Sequence, residues 1–181
     1  MSAERKRSAS VVRSTKETQI HVELDLDGRG DYQVATGIAF FDHMLESFAR
    51  HGLFDLRISA KGDLSVDTHH TVEDVGITLG QALREALGNA SGIRRYGNCG
   101  LPMAESKVEV SVDVSNRPYL VYHVELGNDR IGNFDATLTE DFLYAFSQHA
   151  GIDLHVELRY GKNPHHIVEA VFKGVARALR E

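Results

Sequence analysis

Two clusters of the same form, histidine-histidine-x-x-glutamate, have the residue types of a metal site. Their members are His69, His70 and Glu73 in the first cluster, and His165, His166 and Glu169 in the second. Positions three and four apart share one face of a helix, so each glutamate can lie beside both of its histidines. Imidazole nitrogens combined with a carboxylate suit divalent metals such as Mn, Fe or Zn. The clusters therefore indicate metal binding, and the alternative is two polar helix starts on a solvated face.

The two clusters occupy corresponding places in a duplicated sequence. Residues 41–48 align with residues 139–146, and residues 81–85 align with residues 177–181. Alternating apolar residues near the start of each half also match, namely Ile20, Val22, Leu24 and Leu26 with Val108, Val110, Val112 and Val114. Solenoid repeats run ~20–50 residues, so this longer period predicts two related half-domains.

The duplication adds two candidate ligands outside the clusters. His43 lies on the helix before the first cluster, and its counterpart in the alignment is Asp141. The eight candidates suffice for two sites of four protein ligands, with further positions open for water or substrate. Ligands could be shared across a subunit interface, and the sequence leaves open which histidine binds which metal. His155 is either a further ligand or a hydrogen-bonded strand residue.

The elements that must position these residues follow from the apolar periodicity. It predicts strands over 20–26, 31–35, 56–60, 108–114, 119–124 and 154–159, and helices over 40–50, 69–87, 138–149 and from just after Pro164. Residues 31–35 are expected to return as a hairpin partner of the first strand. Each half then consists of strands, helix, strand and helix, which predicts an α+β fold with the helices on one face of the sheets.

The predicted organisation has three parts. We expect a flexible N-terminal segment over residues 1–12, a first half-domain over 13–92 and a second over 93–181, the halves forming one functional unit.

Composition narrows the class of protein. The chain has 181 residues, 42% of them hydrophobic, which is enough for a real core. Cys99 is the single cysteine, so no intrachain disulfide can form and a reducing compartment fits. The net charge of −6 argues against nucleic acid as a partner. No apolar run approaches the ~20 residues of a membrane span, and we expect a cytoplasmic protein without a membrane partner.

Several longer motifs resemble those of one enzyme family. They are residues 41–45, 50–55, 61–63, 69–74, 92–97, 117–119, 154–156 and 165–173. In this order they are similar to imidazoleglycerol-phosphate dehydratase, and the similarity runs from about Arg13 to the last residue. The resemblance implies dehydration of imidazoleglycerol phosphate to imidazole-acetol phosphate in histidine biosynthesis.

The resemblance also implies a fold, a cofactor and an assembly. The fold would be the duplicated ribosomal-S5-domain-2-like type, and each site would hold two Mn²⁺ ions and no organic cofactor. Trimers would assemble into a 24-subunit shell, with ligands donated by neighbouring subunits. By position, one metal would take His69, Asp141, His165 and Glu169, and the other His43, His70, Glu73 and His166.

Roles for single residues come from the same resemblance. Glu17 would contact the substrate diol and act as acid or base, with Glu73 and Glu169 as further catalytic residues. Arg95 and Arg117 would bind the phosphate with help from Lys173. Spacing alone does not distinguish this role from that of solvated surface arginines. Metal on the substrate's ring nitrogens would stabilise an imidazolate-like intermediate, after which the neighbouring hydroxyl leaves.

The chain departs from the family pattern at four points. Asp141 replaces a histidine or glutamate, Ser47 replaces a glutamine, Ala104 replaces an aspartate, and Glu181 precedes the family's tail with its phosphate-binding serine and lysine. Residues 47 and 104 and the tail support the alternative of an inactive or altered metal-binding assembly of the same fold. Two further hypotheses are a two-metal hydrolase, which usually has more aspartate bridges, and a structural domain without metal.

Overall fold

Each half of the chain builds a four-stranded sheet and two helices. The computed structural model describes residues 6–126 and 130–181. The first half contains β1 (Ser8–Ser14), β2 (Thr18–Asp25), β3 (Tyr32–Ala35), α1 (Ala39–Gly52), β4 (Asp55–Gly62) and α2 (His69–Leu87). The second contains β5 (Tyr96–Met103), β6 (Ser106–Asp113), β7 (Tyr119–His123), the short β8 (Arg130–Ile131) and β9 (Phe134–Asp135), α3 (Leu138–Ala150), β10 (Asp153–Tyr160) and α4 (Pro164–Arg180).

The strand order is the same in the two sheets and confirms the duplicated α+β fold. The first sheet has the order β1-β2-β4-β3, and the second has β5-β6-β10-β7. In each sheet the last strand pairs parallel with its neighbour while the other pairs are antiparallel. The helices cover one face of each sheet, as the alternation of buried and exposed residues along β2 and β6 requires.

Two sequence-based predictions are wrong. Residues 31–35 do not form a hairpin with the first strand, because β3 pairs parallel with β4. Parallel neighbours need a crossover connection, and α1 supplies it between β3 and β4. The segment 1–12 is predicted to be flexible throughout, but residues 8–12 belong to β1, which pairs antiparallel with β2. The strands β1, β5, β8 and β9 are absent from the sequence prediction.

The helices pack across the two halves rather than within them. α1 packs on α4, and α2 packs on α3, so the four helices form a layer between the two sheets. Phe142 of α3 joins the halves, since its ring lies 5.3 Å from that of Phe41 on α1 and 5.1 Å from that of Phe172 on α4. Because the cluster residues sit on these helices, this packing decides which of them meet.

Two glycines let α2 approach α3 closely. A Cβ atom at Gly76 would lie 2.7 Å from the carbonyl oxygen of Phe142, and one at Gly80 would lie 2.5 Å from that of Phe146. A side chain at either position would push the helices apart. The close approach brings the first turn of α3 beside the first cluster.

Within residues 6–126 and 130–181, no helix combines the length and the apolar character needed to cross a membrane.

Candidate metal centre

Both histidine pairs stand in the first turn of a helix that begins with a capped amide. The Asn163 side chain accepts a hydrogen bond from the His165 backbone N–H at the start of α4 (3.0 Å). Asp67 accepts the corresponding bond from the His69 backbone N–H at the start of α2 (2.9 Å). Capping of this kind satisfies an amide that the helix itself leaves free. The pattern predicts the helical placement of both clusters, and the structure confirms it.

The first intrachain group joins α1 to α4. His43, His165 and Glu169 each offer a ligand atom, and these atoms lie within 4.8 Å of one another. The His165 Nε2 atom is 3.3 Å from Glu169 Oε2, and the His43 Nε2 atom is 4.0 Å from Glu169 Oε1. Two atoms bound to one metal at ~2.1 Å can be at most about 4.2 Å apart, so these two distances suit a shared ion. We call these three residues the α1–α4 group.

A half-buried cation faces the carboxylate of this group. The Lys173 Nζ atom lies 2.6 Å from Glu169 Oε1, one helical turn further along α4. Burial of Glu169 opposes its charged form, but the hydrogen bond and charge of Lys173, with His43 and His165 nearby, outweigh burial and lower its pKa. Glu169 is therefore held as the carboxylate that a divalent cation needs.

The second intrachain group joins α2 to α3 and is the repeat counterpart of the first. The His69 Nε2 atom is 3.5 Å from Glu73 Oε2, and its Nδ1 atom is 3.7 Å from Asp141 Oδ2. The two carboxylates thus face opposite nitrogens of one ring. We call His69, Glu73 and Asp141 the α2–α3 group.

This grouping differs from the one that the resemblance implies. His165 and Glu169 lie with His43, whereas the resemblance places them with His69. The packing of α1 on α4 across the halves is the physical reason. Sequence spacing fixes which residues share a helix face, but it does not fix which helices are neighbours.

The second histidine of each pair faces a carboxylate from a neighbouring loop. The His70 Nδ1 atom is 3.0 Å from Asp63 Oδ2, and the His166 Nδ1 atom is 2.6 Å from Glu105 Oε2. The hydrogen bond that the His70 ring donates to Asp63 raises the pKa of His70. Glu105 also accepts the backbone N–H of Asn163 (2.8 Å), and this bond, with that to His166, holds the pKa of Glu105 well below its usual range.

The turn that carries Glu17 lies at the end of the first sheet nearest the α2 cluster, and a buried carboxylate holds the turn there. Glu17 stands in this turn, between β1 and β2, where Thr15 Oγ1 accepts its backbone N–H (3.1 Å). Asp74 binds Arg13 Nε (2.8 Å) and the hydroxyl of Thr18, so it ties both sides of the turn to α2. The Glu17 side chain itself is exposed. Asp74 follows Glu73 directly, so the turn is anchored next to the α2–α3 group.

The two arginines predicted to grip phosphate lie at the other end of the second sheet. Arg95 precedes β5 and donates two hydrogen bonds to Asp113 at the end of β6 (2.6 and 2.9 Å). Arg117 lies just before β7, whose first residue pairs with the first residue of β10. The cluster of α4 follows the opposite end of β10, which is roughly 25 Å away for an eight-residue strand. One chain does not bring these arginines to its own histidines.

The remaining candidates lie apart from the two groups. His155 is on the exposed face of β10, opposite the face that its buried neighbours Leu154 and Val156 turn to the helices. Ser47 is buried on α1, one turn after His43, and nothing in the structure explains its replacement of glutamine. Burial raises the pKa of the Cys99 thiol, which disfavours the thiolate that a nucleophile needs.

Sequence reasoning missed three carboxylates that hold the site together: Asp63, Asp74 and Glu105. The signal for Glu105 was present in the duplication, because the alignment of the first strands places Glu105 at the position of Glu17. The contacts of Asp63 and Asp74 depend on loops and turns that periodicity does not define.

A family profile matches most of the chain. The profile described as imidazoleglycerol-phosphate dehydratase matches residues 36–179. The chain is 57% identical over 173 residues to the imidazoleglycerol-phosphate dehydratase of Citrifermentans bemidjiense, covering 96% of this chain and 89% of that relative. It is also 57% identical over 175 residues to that of Thermoanaerobacter pseudethanolicus, covering 97% and 90%.

Solved structures show the same fold. The crystal structure of imidazoleglycerol-phosphate dehydratase from Staphylococcus aureus superposes with a TM-score of 0.86 at 36% identity, covering 96% of both chains. The enzyme from Pyrococcus furiosus gives a TM-score of 0.83 at 41% identity, covering 94% of this chain and 91% of that one.

Proposed function

Because the chain belongs to the imidazoleglycerol-phosphate dehydratase family, it dehydrates imidazoleglycerol phosphate in histidine biosynthesis, and we propose that its two histidine clusters bind two Mn²⁺ ions for this reaction. The product is imidazole-acetol phosphate. The observation that carries the metal proposal is the convergence of His43, His165 and Glu169 from two helices. The repeat counterparts on α2 and α3 lie close together, with one carboxylate at each nitrogen of the His69 ring. The donor set of imidazoles and carboxylates fits a divalent transition metal.

The reaction removes the hydroxyl from the carbon attached to the imidazole ring and a proton from the next carbon, and the resulting enol becomes the ketone of imidazole-acetol phosphate. Loss of the ring N–H proton places negative charge on the ring that helps to expel the hydroxyl, and this charge must be stabilised. When bound, the metal ions supply Lewis acidity at the ring nitrogens. The α1–α4 and α2–α3 groups would hold them, with Glu73 and Glu169 as the acidic members of the two clusters.

We assign the transfer of a proton to Glu17. Its side chain is exposed at the end of a hairpin that Asp74 fixes to α2, so it can reach a substrate from a rigid support. A carboxylate in this position can take or return the proton at the substrate diol. The exposed carboxylate beside the α2–α3 group supports assigning this role to Glu17.

In the proposed site, the arginines that bind the substrate phosphate come from a second chain. Arg95 and Arg117 offer guanidinium groups suited to phosphate, but they lie at the end of the second sheet away from the histidines. We infer that they serve a site on a neighbouring subunit, with Lys173 assisting from α4. His70 and His166, which stand outside both intrachain groups, would likewise complete metal sites across subunits.

A shared site makes the oligomer part of the function. Trimers assembled into a 24-subunit shell would bring the arginine end of one chain to the histidine end of another. The two halves, divided at residues 92 and 93, would then act as one unit in the cytoplasm.

The test is product formation by metal-stripped protein, with and without added Mn²⁺. The proposal predicts imidazole-acetol phosphate only after Mn²⁺ is restored. Equal turnover in protein shown to contain no metal would contradict the metal proposal. Metal binding without turnover would instead favour the inactive assembly.

A further inference from the structure

Glu17 and Glu105 occupy equivalent turns of the duplicated sheets but have different surroundings. Glu17 precedes β2 in the turn after β1, and Glu105 precedes β6 in the turn after β5. Glu17 is exposed, and its backbone, not its side chain, makes the hydrogen bond to Thr15 in the turn. Both carboxylate oxygens of Glu105 are engaged.

Glu105 contacts His166 and the loop that precedes this histidine. Its Oε1 atom accepts the backbone N–H groups of Lys162 and Asn163 (3.2 and 2.8 Å) and the hydroxyl of Ser106 (3.1 Å). Its Oε2 atom lies 2.6 Å from Nδ1 of His166. A carboxylate can only accept, so the proton of a neutral His166 ring is on Nδ1 and the lone pair is on Nε2.

We propose that Glu105 and Asp63 are positioning residues that fix the tautomer of His166 and His70, respectively, so that each ring presents Nε2 to a metal. This inference rests on the proposed metal sites. Metal-binding histidines commonly donate their other nitrogen to a carboxylate, which fixes the ring and raises its strength as a ligand. Asp63 makes the equivalent contact to Nδ1 of His70 from the loop after β4.

The two halves use different carboxylates for a steric reason. The alignment of β4 with β10 places Gly161 at the position of Asp63. A Cβ atom at Gly161 would lie 2.6 Å from Ser106 Oγ and 2.9 Å from Ile167 Cγ1, so the second half has no room for a side chain there. Glu105 supplies the missing carboxylate from the hairpin turn. In the first half Asp63 supplies the carboxylate that contacts the histidine, so Glu17 remains available to contact the substrate.

The test compares Glu105→Gln with Glu17→Gln in the full chain, with Asp63→Asn as a second test variant. Glutamine keeps an oxygen for the N–H groups of Lys162 and Asn163, but its amide donates to Nδ1 and so favours the proton on Nε2. We expect Mn²⁺ affinity, measured by equilibrium dialysis without substrate, to fall ~10–100-fold at one of the two sites in Glu105→Gln and in Asp63→Asn. Glu17→Gln should retain wild-type Mn²⁺ affinity.

A spectroscopic readout separates positioning from general loss of structure. Nitrogen-15 NMR of histidine-labelled, metal-free protein should show one ring changing from the Nδ1–H to the Nε2–H form in Glu105→Gln, and the signal should be absent in His166→Ala. Unchanged tautomer and unchanged affinity in Glu105→Gln would overturn the inference. Failure of wild-type protein to bind Mn²⁺ would overturn the proposed metal sites as well, so the two failures are distinct.

Discussion

The half-buried Lys173 ammonium and the buried Glu169 carboxylate are 2.6 Å apart beside His43 and His165. Their side chains retain only 16% and 8% of their exposure. In the metal-free chain this lysine is the cation that balances the carboxylate of the α1–α4 group. A divalent ion bound there would share that carboxylate with Lys173 and reduce the importance of the lysine.

Replacing Lys173 with methionine should destabilise the metal-free protein more than the metal-loaded protein. Removing one partner of a buried pair leaves an uncompensated charge, and we expect a loss of about 2–3 kcal/mol in unfolding free energy, below the full effect because His43 opens the group to solvent. Denaturant unfolding in a chelator and in Mn²⁺, at one protein concentration, measures the difference.

The matched control is Lys107→Met, which removes the cation of an exposed pair with Glu109 (2.9 Å). Exposed pairs contribute ~0–1 kcal/mol, so this variant should be nearly as stable as wild type in both conditions. Equal losses for the two variants would show that the Lys173–Glu169 pair has no special role.

Ala104→Gly should stabilise the protein. Ala104 has a φ angle of 51° in the turn that carries Glu105, a conformation that costs a side chain with a Cβ atom free energy. We expect a gain of ~0.5–1 kcal/mol in unfolding free energy, since glycine adopts this region without strain. Ala35→Gly on the exposed strand β3 should lose stability instead. A destabilised Ala104→Gly variant would contradict the argument.

Acid should remove the stabilising effect of Asp55. The backbone N–H groups of Arg29 and Asp31 donate to its carboxylate (2.7 and 3.0 Å) and lower its pKa. A lowered folded-state pKa gives stability that is present above the unfolded value, ~3.9, and is lost as pH falls through the folded value.

Asp55→Asn should therefore be less stable than wild type by about 1 kcal/mol at pH 6, with the difference shrinking below pH ~4. Urea unfolding across this range checks it. The repeat counterpart Asp153 accepts one serine hydroxyl in place of two amides, so Asp153→Asn should lose less. A difference between wild type and Asp55→Asn that grows in acid would have the wrong sign.

Two variants, each inactive alone, should restore activity when their chains are mixed. If Glu17 and Arg95 at one site come from different subunits, coexpressed Glu17→Gln and Arg95→Ala chains will form some sites with neither change. Random assembly predicts about a quarter of wild-type turnover. The absence of recovered turnover in mixed oligomers would place both residues on one chain.

Periodicity and duplication predict much of the candidate site. Helix α2 has the predicted bounds, and the alignment of the two halves identifies Asp141 as the counterpart of His43. His43 lies near His165 because α1 packs against α4. Packing between helices that are distant in the sequence produces no local sequence pattern from which it could be predicted. Strand β1 was missed because it lies at a sheet edge and its sequence, with adjacent Val11 and Val12 among small and polar residues, lacks a regular apolar alternation.

We propose that each intrachain group holds its own metal, and the number of Mn²⁺ ions bound by two double variants tests this proposal. His43→Ala with His165→Ala changes only the α1–α4 group, whereas His69→Ala with His165→Ala changes both groups. Equilibrium dialysis should find about one Mn²⁺ per chain in the first double variant and almost none in the second, against about two in wild type. Loss of both ions in the first, with one retained in the second, would contradict this grouping and favour the assignment of His69 and His165 to one metal.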